Sequence, residues 1–293
     1  MPNRSLGHFD LIVMGAGSAG ACAAIAAARS GSKVLVIDRL PFIGGTSTAV
    51  LDTFYGFYTP GEKAKKIVGG IPDDVVNGLK KFGSMIERPN TYGAGTGVTY
   101  NAEHLKVVWE SLIIKSGAKI LLHSLLQQVK VLDGRVQELI LATRAGLCSV
   151  TGDFFIDATG DADLSNFAGF GYEKAGEIAP AQTLTTTFKM VNVDLVERKK
   201  IQKEQLHQLM QEATENGYEL PRKEGSDHIT PVANTTATVM TRLDSVRKNS
   251  KGEIESVLDD PFFLTESEIA GRKQAAEYAR FLVDKVPGYK NSS

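Results

Sequence analysis

The stretch LIVMGAGSAGACAAIAAARSGSKVLVID, running from Leu11 to Asp38, restricts the fold more than any other part of the chain. Leu11 to Met14 read as a short buried strand, and Gly15-x-Gly17-x-x-Gly20 follows at once. The alanine-rich sequence after it predicts a helix that stops at Gly31, and KVLVID predicts a second strand. Together these make a βαβ unit. Its first glycine allows a tight turn, the second lets a diphosphate approach the backbone, and the third lets the helix lie close to the strand. Free N–H groups at the helix start, with the positive end of the helix dipole, favour the diphosphate without a basic side chain. Asp38 closes the second strand, where a carboxylate can accept hydrogen bonds from ribose hydroxyls. NAD and FAD share this half-site, so the fingerprint alone leaves them open. Arg39 could be argued toward a 2′-phosphate, but Asp38 beside it would repel that group, which disfavours NADP. Arg39 then packs at the adenine rim or lies in solvent.

Composition narrows the function classes. With 293 residues, 42% of them hydrophobic, the chain can bury a large core in one domain or two intimate ones. Lys and Arg number 33 against 34 Asp and Glu, so no broad positive surface is available for a nucleic acid backbone. Cys22 and Cys148 stand far apart with no metal-ligand spacing, which argues against a disulfide framework, an iron–sulfur cluster or a metal site and fits a reducing cytoplasm. No run approaches the roughly 18 apolar residues that a membrane span needs. The expectation is a cytoplasmic protein without a membrane span.

Two further stretches repeat the pattern of strand, small-residue turn and polar side chains. PFIGGTSTAV, residues 41–50, puts Gly44 and Gly45 after the second strand and ahead of Thr46, Ser47 and Thr48. IDATGDADLSNFAG, residues 156–169, runs from a strand into an acidic turn and then a helix. With the fingerprint and Asp38, these segments resemble the FAD-dependent oxidoreductase family related to the flavoprotein subunits of fumarate reductase and succinate dehydrogenase, with the marks in the family's order. The similarity continues through residues 99–129, AQTLTTTFKM and LTESEIAGRKQAAEYARFLVDKVPGY. The resemblance implies an α/β fold: a Rossmann-like FAD-binding domain with a parallel sheet, a β-hairpin insertion and a smaller α+β cap. It implies FAD as cofactor, with the diphosphate held by Gly15, Gly17, Ser18, Ala19 and Gly20 and the ribose by Asp38. Gly44, Gly45, Thr46 and Ser47 would approach the diphosphate and the inner flavin, since glycine admits backbone and hydroxyls donate to phosphate or ribityl oxygens. Thr159, Gly160 and Asp161 would close over the cofactor, and Leu126 would lie near the adenine through its backbone. The bland reading of DATGD alone is an acidic turn capping a helix at Asp161 or Asp163. Relatives generally run past VPGY into a further stretch that completes the flavin pocket, so this chain is expected to lack that part.

Elsewhere the pattern is structural. Asn101 is expected to cap a helix with Leu105, Val108, Trp109 and Leu112 on one face and Gly117 at its end. Residues 119–142 read as strands about an Asp133-Gly134 turn. A strand is expected over 183–193, one amphipathic helix over 194–217, and strand character in NTTATVMTRL. Thr265 with Glu268 suggests a capping box for a last helix burying Ile269, Ala276, Ala279, Leu282, Val283 and Val286. The expected division is 1–47, 101–179 and 251–293 for the dinucleotide-binding domain, with 48–100 and 180–250 as a substrate-facing cap.

Catalytic residues are not singled out. The flavin carries the hydride, so the protein must orient a substrate, exclude water and at most move one proton. Residues 91–100, framed by Tyr92 and Tyr100, are a candidate cover for the flavin face. His104, His123 and His207 fall on a helix, a strand and a helix, and His228 reads as a loop residue. Arg222 and Arg242 are candidates for a carboxylate substrate, without a surrounding motif. The reading is an oxidoreductase acting on a small-molecule substrate with an unidentified electron donor or acceptor. An NAD-dependent dehydrogenase, which would not account for GGTST with DATGD, and a catalytically silent nucleotide-binding fragment are the alternatives.

Overall fold

A computed structural model describes residues 4–50, 54–59, 65–83, 85–89, 96–178 and 180–293. The chain divides into two compact units, residues 1–172 and 173–293. The first contains β1 (Arg4–Met14), α1 (Ser18–Arg29), β2 (Val34–Ile37), α2 (Thr46–Ala49), β3 (Phe54–Gly56), α3 (Ile71–Lys81), β4 (Met85–Pro89), β5 (Thr96–Tyr100) and α4 (Ala102–Ser116). It continues with β6 (Lys119–Leu121), β7 (Leu125–Leu132), β8 (Arg135–Thr143), β9 (Gly146–Asp157) and α5 (Asp163–Phe167).

Its main sheet has the order β6-β2-β1-β9-β8-β7. β6, β2, β1 and β9 run parallel, and β8 and β7 complete an antiparallel meander. Alternation along the strands explains the layering. Leu11, Val13, Val34 and Val36 point into a core with Ala21, Ala24 and Ile25 of α1 and Leu105, Val108 and Trp109 of α4. Ile12, Met14, Leu35 and Ile37 point the other way, onto Leu126, Val129, Leu139 and Leu141 of the meander. Both faces of β2 and of the last residues of β1 are covered, which is why these two segments are continuously apolar.

The turn chemistry follows the sequence. Asp133 and Gly134 both take positive φ, 50° and 71°, as a two-residue hairpin turn requires. Asn101 accepts the Glu103 N–H at 2.9 Å, and Gly117 ends α4 in the left-handed conformation. A small antiparallel sheet of order β3-β5-β4 is inserted between α2 and α4.

The second unit contains β10 (Phe188–Met190), α6 (Leu195–Arg198), α7 (Lys203–Glu215), β11 (Ser226–Ile229), β12 (Thr236–Val239), β13 (Val246–Lys248), β14 (Ile254–Ser256) and α8 (Pro261–Lys285). An antiparallel sheet of order β10-β12-β11 shares a core with α7 and α8, centred on Met190, Met210, Met240, Tyr278 and Phe281.

Three expectations are corrected here. The strand expected over 183–193 is confined to β10, because the backbone before it uses other partners: Thr186 donates its N–H to Thr241 Oγ1 at 2.7 Å. The single helix expected over 194–217 is two. Asp194 caps α6 through Val196 and Glu197, and Gln202 begins α7 with its N–H on Gln205 Oε1 at 2.9 Å. Arg198, at the break, turns instead to Asp227. The last helix starts not at Thr265 but at Pro261, capped by Asp260, and the Thr265 hydroxyl bonds back to the Pro261 carbonyl within it. That register exposes Ile269 and Ala276 and buries Phe263, Gly271, Tyr278 and Phe281 with Leu282 and Val286.

The Arg198–Asp227 pair is the charged centre of this unit. Asp227 takes Nε at 2.9 Å and Nη2 at 2.5 Å, and accepts the Tyr289 hydroxyl at 2.5 Å. Their side chains are only 13% and 4% exposed, so removing one partner would leave a buried charge unpaired. Burial, followed by the Asp227 charge, pushes the Tyr289 hydroxyl far up, so it remains a donor. Asp227→Ala should therefore cost about 3–5 kcal/mol in unfolding free energy, read from urea titrations monitored by circular dichroism. A loss within that of an exposed pair such as Arg272–Glu268 would contradict the assignment.

Candidate functional site

Three turns meet at the carboxyl ends of β1, β2 and β9, where open α/β sheets commonly bind ligands. They meet through main chain. Gly15 donates its N–H to Ile37 at 2.8 Å, Ala158 donates to Met14 at 2.8 Å, and Gly44 donates to Ala16 at 2.9 Å. Gly17 and Gly44 form an isolated parallel bridge.

The glycines are required by contact. A Cβ on Gly15, whose φ is +98°, would overlap the Ala158 carbonyl, and one on Gly20 would overlap the Gly15 carbonyl. One on Gly45 would stand 2.9 Å from the Gly17 Cα. Gly17 differs, because a Cβ there meets nothing nearer than the Gly45 Cα at 3.9 Å. Its small size leaves room rather than relieving a clash. α1 starts immediately after it with no side-chain cap and no acidic residue in its first turn, so its leading N–H groups and dipole are left for an anion.

Asp38 is buried and held on both oxygens, accepting Ala16 N–H at 2.6 Å and Leu40 N–H at 2.8 Å. It lines a cavity of about 270 Å³ with Gly15, Arg39, Leu126, Thr159 and Phe167. This volume lies near the lower end of small-ligand pockets, roughly 300–1,000 Å³, enough for the adenosine end of a dinucleotide rather than the whole molecule. Arg39 is exposed at its edge and Leu126 is buried in its wall.

Thr46 and Ser47 open the one-turn helix α2, with Thr46 exposed and Ser47 half-buried. Ser18 Oγ lies 2.9 Å from Ser47 Oγ and 2.8 Å from the Tyr55 hydroxyl, while Tyr100 donates to the Ser47 carbonyl at 3.1 Å. This chain of hydroxyls joins the first two glycine turns.

The DATGD turn is organised by Asp157, which the sequence reading did not single out. One oxygen accepts the N–H and hydroxyl of Thr159, at 3.1 and 2.7 Å, and the other accepts both groups of Ser165 at 2.8 Å. Burial pushes this carboxyl up, but those four donors outweigh it and hold the group below the usual carboxylate range. Thr159 Oγ1 in turn accepts the Asp163 N–H at 2.9 Å. Neither Asp161 nor Asp163 caps α5, which follows Ala162 without a side-chain cap. Gly160 and Asp161 are exposed beside it. The sequence signal for Asp157 was an acid at a strand end with hydroxyl residues two and eight positions on. Tyr55 carried no local signal.

The sequence candidates for proton transfer do not assemble. His104 stacks on Phe82 with ring centroids 4.7 Å apart, His207 lies on α7, and His228 sits on strand β11 rather than in a loop. His123 occupies the β6–β7 turn with φ 54° rather than a strand. Arg222 and Arg242 use their main chain on Tyr278 and Gln274. Of the expected flavin-facing loop, residues 91–95 lie outside the described residues. Among those described, no cluster of His, Cys, Asp and Glu could hold a metal ion, and no helix is long and apolar enough to cross a membrane.

A parallel-stranded sheet with an uncapped glycine helix start and an acid on the next strand defines a dinucleotide-binding protein of the Rossmann-like class. The particular family follows from comparison: residues 10–293 match the FAD dependent oxidoreductase family, and the chain belongs to it. FAD is thus the dinucleotide that the fingerprint alone left open. Over 80 residues the chain is 38% identical to the fumarate reductase (cytochrome) of Shewanella frigidimarina, a stretch covering 27% of this chain and 14% of that protein. Among solved structures, a geranylgeranyl bacteriochlorophyll reductase-like protein from Thermoplasma acidophilum aligns with 98% of this chain and 64% of its own, at a TM-score of 0.50 and 16% identity. CabE, an aromatic hydroxylase from angucycline biosynthesis, aligns with 83% of this chain and 46% of its own, at 0.51 and 15%. These two likenesses show a shared fold.

Because the Asp157 pKa is lowered in the folded chain, its stabilisation is complete above the ordinary carboxylate range and disappears as pH falls through the lowered value. Asp157→Asn should cost about 2 kcal/mol near neutral pH, the scale of hydrogen bonds to a charged acceptor. Thermal melts should show the gap to wild type closing on acidification; a pH-independent gap would deny the carboxylate this role.

Proposed function

We propose that the chain binds FAD non-covalently across the three turns and transfers a hydride between the flavin and a small organic substrate. The observation that carries this reading is the convergence of three turns: main-chain bonds join the Gly15–Gly20 and Gly44–Ser47 segments, and Ala158, which leads into Thr159–Asp161, is bonded to Met14, which leads into Gly15. Main chain of Gly15, Gly17, Ser18, Ala19 and Gly20 holds the diphosphate against the start of α1. Asp38 accepts from the ribose with the lone pairs that Ala16 and Leu40 leave free. Arg39 and Leu126 border the adenine, Gly44, Gly45, Thr46 and Ser47 meet the diphosphate and the inner flavin, and Thr159, Gly160 and Asp161 close the opposite side.

When bound, FAD supplies the two-electron chemistry. The chain's own task is to fix the cofactor and to present one face of it to substrate. Residues 48–100 and 180–250 are proposed as the substrate-facing part, with 1–47 and 101–172 binding the dinucleotide. A cytoplasmic setting and a separate electron donor or acceptor complete the proposal.

The test is direct. Purified protein should carry or take up FAD and show the two visible absorption bands of oxidised flavin. Gly17→Asp should weaken FAD binding by at least about a hundredfold, because a carboxylate would face the diphosphate in a site that now holds none. Undiminished uptake by that variant, or a protein that takes up NAD or no dinucleotide at all, would overturn the reading.

A further inference from the structure

A second cavity, of about 550 Å³, opens between the first residues of β1, the β6–β7 turn and the β8–β9 turn. Its floor is apolar, formed by the partly buried Leu6, Leu121 and Leu122. Its rim carries Arg4, His123 and Arg144, all exposed, and no acidic side chain lines it. In a chain whose formal charge is −1, that is a local excess of positive charge. Neither arginine takes part in any ion pair or side-chain hydrogen bond among the described residues. His123 holds a left-handed backbone, φ 54°, that a histidine adopts at some cost. Two main-chain bonds maintain it: His123 N–H to Leu40 at 3.3 Å and Ser124 N–H to Asp38 at 3.0 Å.

Unpaired guanidinium groups above an apolar floor match one kind of ligand. We propose that this cavity is a second binding site, for an organic anion with a carboxylate or phosphate head on an apolar body. The head is held by Arg4 and Arg144, whose forked donors suit either group, and the body covers Leu6, Leu121 and Leu122. Ser124, Thr143 and the buried Cys148 complete the lining, and the cavity shares no residue with the Asp38 cavity, where the dinucleotide is proposed to bind. Its ligand is therefore an effector or carried molecule rather than the reacting substrate. Leu121 and Ser124 are both bonded to the Asp38 main chain, so the occupant rests on the segment that positions the proposed ribose acceptor.

The probes are octanoate, octyl phosphate, octanol and inorganic phosphate, titrated calorimetrically into the full chain. Octanoate or octyl phosphate should bind saturably, and whichever binds more tightly identifies the head group. Octanol and inorganic phosphate should each bind at least about tenfold more weakly, since each lacks one half of the complement. Arg144→Glu, a change at an exposed position, should weaken binding of the preferred amphiphile at least about tenfold with an unchanged circular dichroism melt. Excess ADP should not displace it. The proposal is overturned by the absence of saturable binding, by octanol or phosphate binding equally well, by an unaffected Arg144→Glu, or by displacement with ADP. FAD uptake is measured separately, so failure here leaves the dinucleotide reading standing.

Discussion

The first unit depends on how closely its backbones approach at one point. Ala158 at the end of β9 passes beneath Gly15, Gly15 lies beneath Gly20, and Gly45 lies against Gly17, each at a separation that leaves no space for an intervening side chain. The pleat of the parallel sheet brings these strand ends level, and the main-chain bonds from Gly15, Ala158 and Gly44 lock them there. A cradle made this way presents N–H groups rather than side chains. It needs no net positive charge, so the proposed diphosphate site is compatible with a formal charge of −1.

Side-chain hydrogen bonds then hold the turns that the glycines make possible. Asp38 ties the first turn to the end of β2, Asp157 ties the DATGD turn to the first turn of α5, and Ser18 ties the fingerprint to Ser47 and Tyr55. The two aspartates differ in what they leave for a ligand. Asp157 accepts four donors and has its capacity filled within the turn, so its role is to shape Thr159 and Gly160. Asp38 accepts two and keeps lone pairs on the edge of the cavity.

How much of this was legible in the sequence follows from the range of the forces involved. The βαβ unit, the Asp133-Gly134 hairpin and the Asn101-capped helix are specified by residues adjacent to one another, through positive φ, capping and alternation, and they form as their local chemistry dictates. The broken helix at 195–215 is different. Besides the local Gln202–Gln205 cap, Arg198 at the break reaches Asp227, 29 positions away, and no local periodicity records that pairing. The start of α8 was misread because Thr265-x-x-Glu268 imitates a cap, while Asp260 before Pro261 is the pair that satisfies the first free N–H groups. Tyr55 reaches the site only because β3 is carried there by its pairing with β5.

The same distinction bears on where specificity can reside. The groups proposed to face the cofactor in the first unit are mainly backbone, and backbone is the same whatever side chain is attached, so the glycine pattern identifies the dinucleotide class but cannot encode a substrate. Discrimination must then come from side chains that the cradle does not itself require. On the proposed assignment the acid at Asp38 illustrates this: its buried carboxylate, fixed by Ala16 and Leu40, would not swing away from a 2′-phosphate added to the ribose, and the repulsion at that short range would favour an unphosphorylated ribose. Arg39, exposed next to it, remains in high-dielectric solvent where its compensating attraction is screened. The buried charge therefore outweighs the exposed one, although the two are neighbours in sequence and opposite in sign.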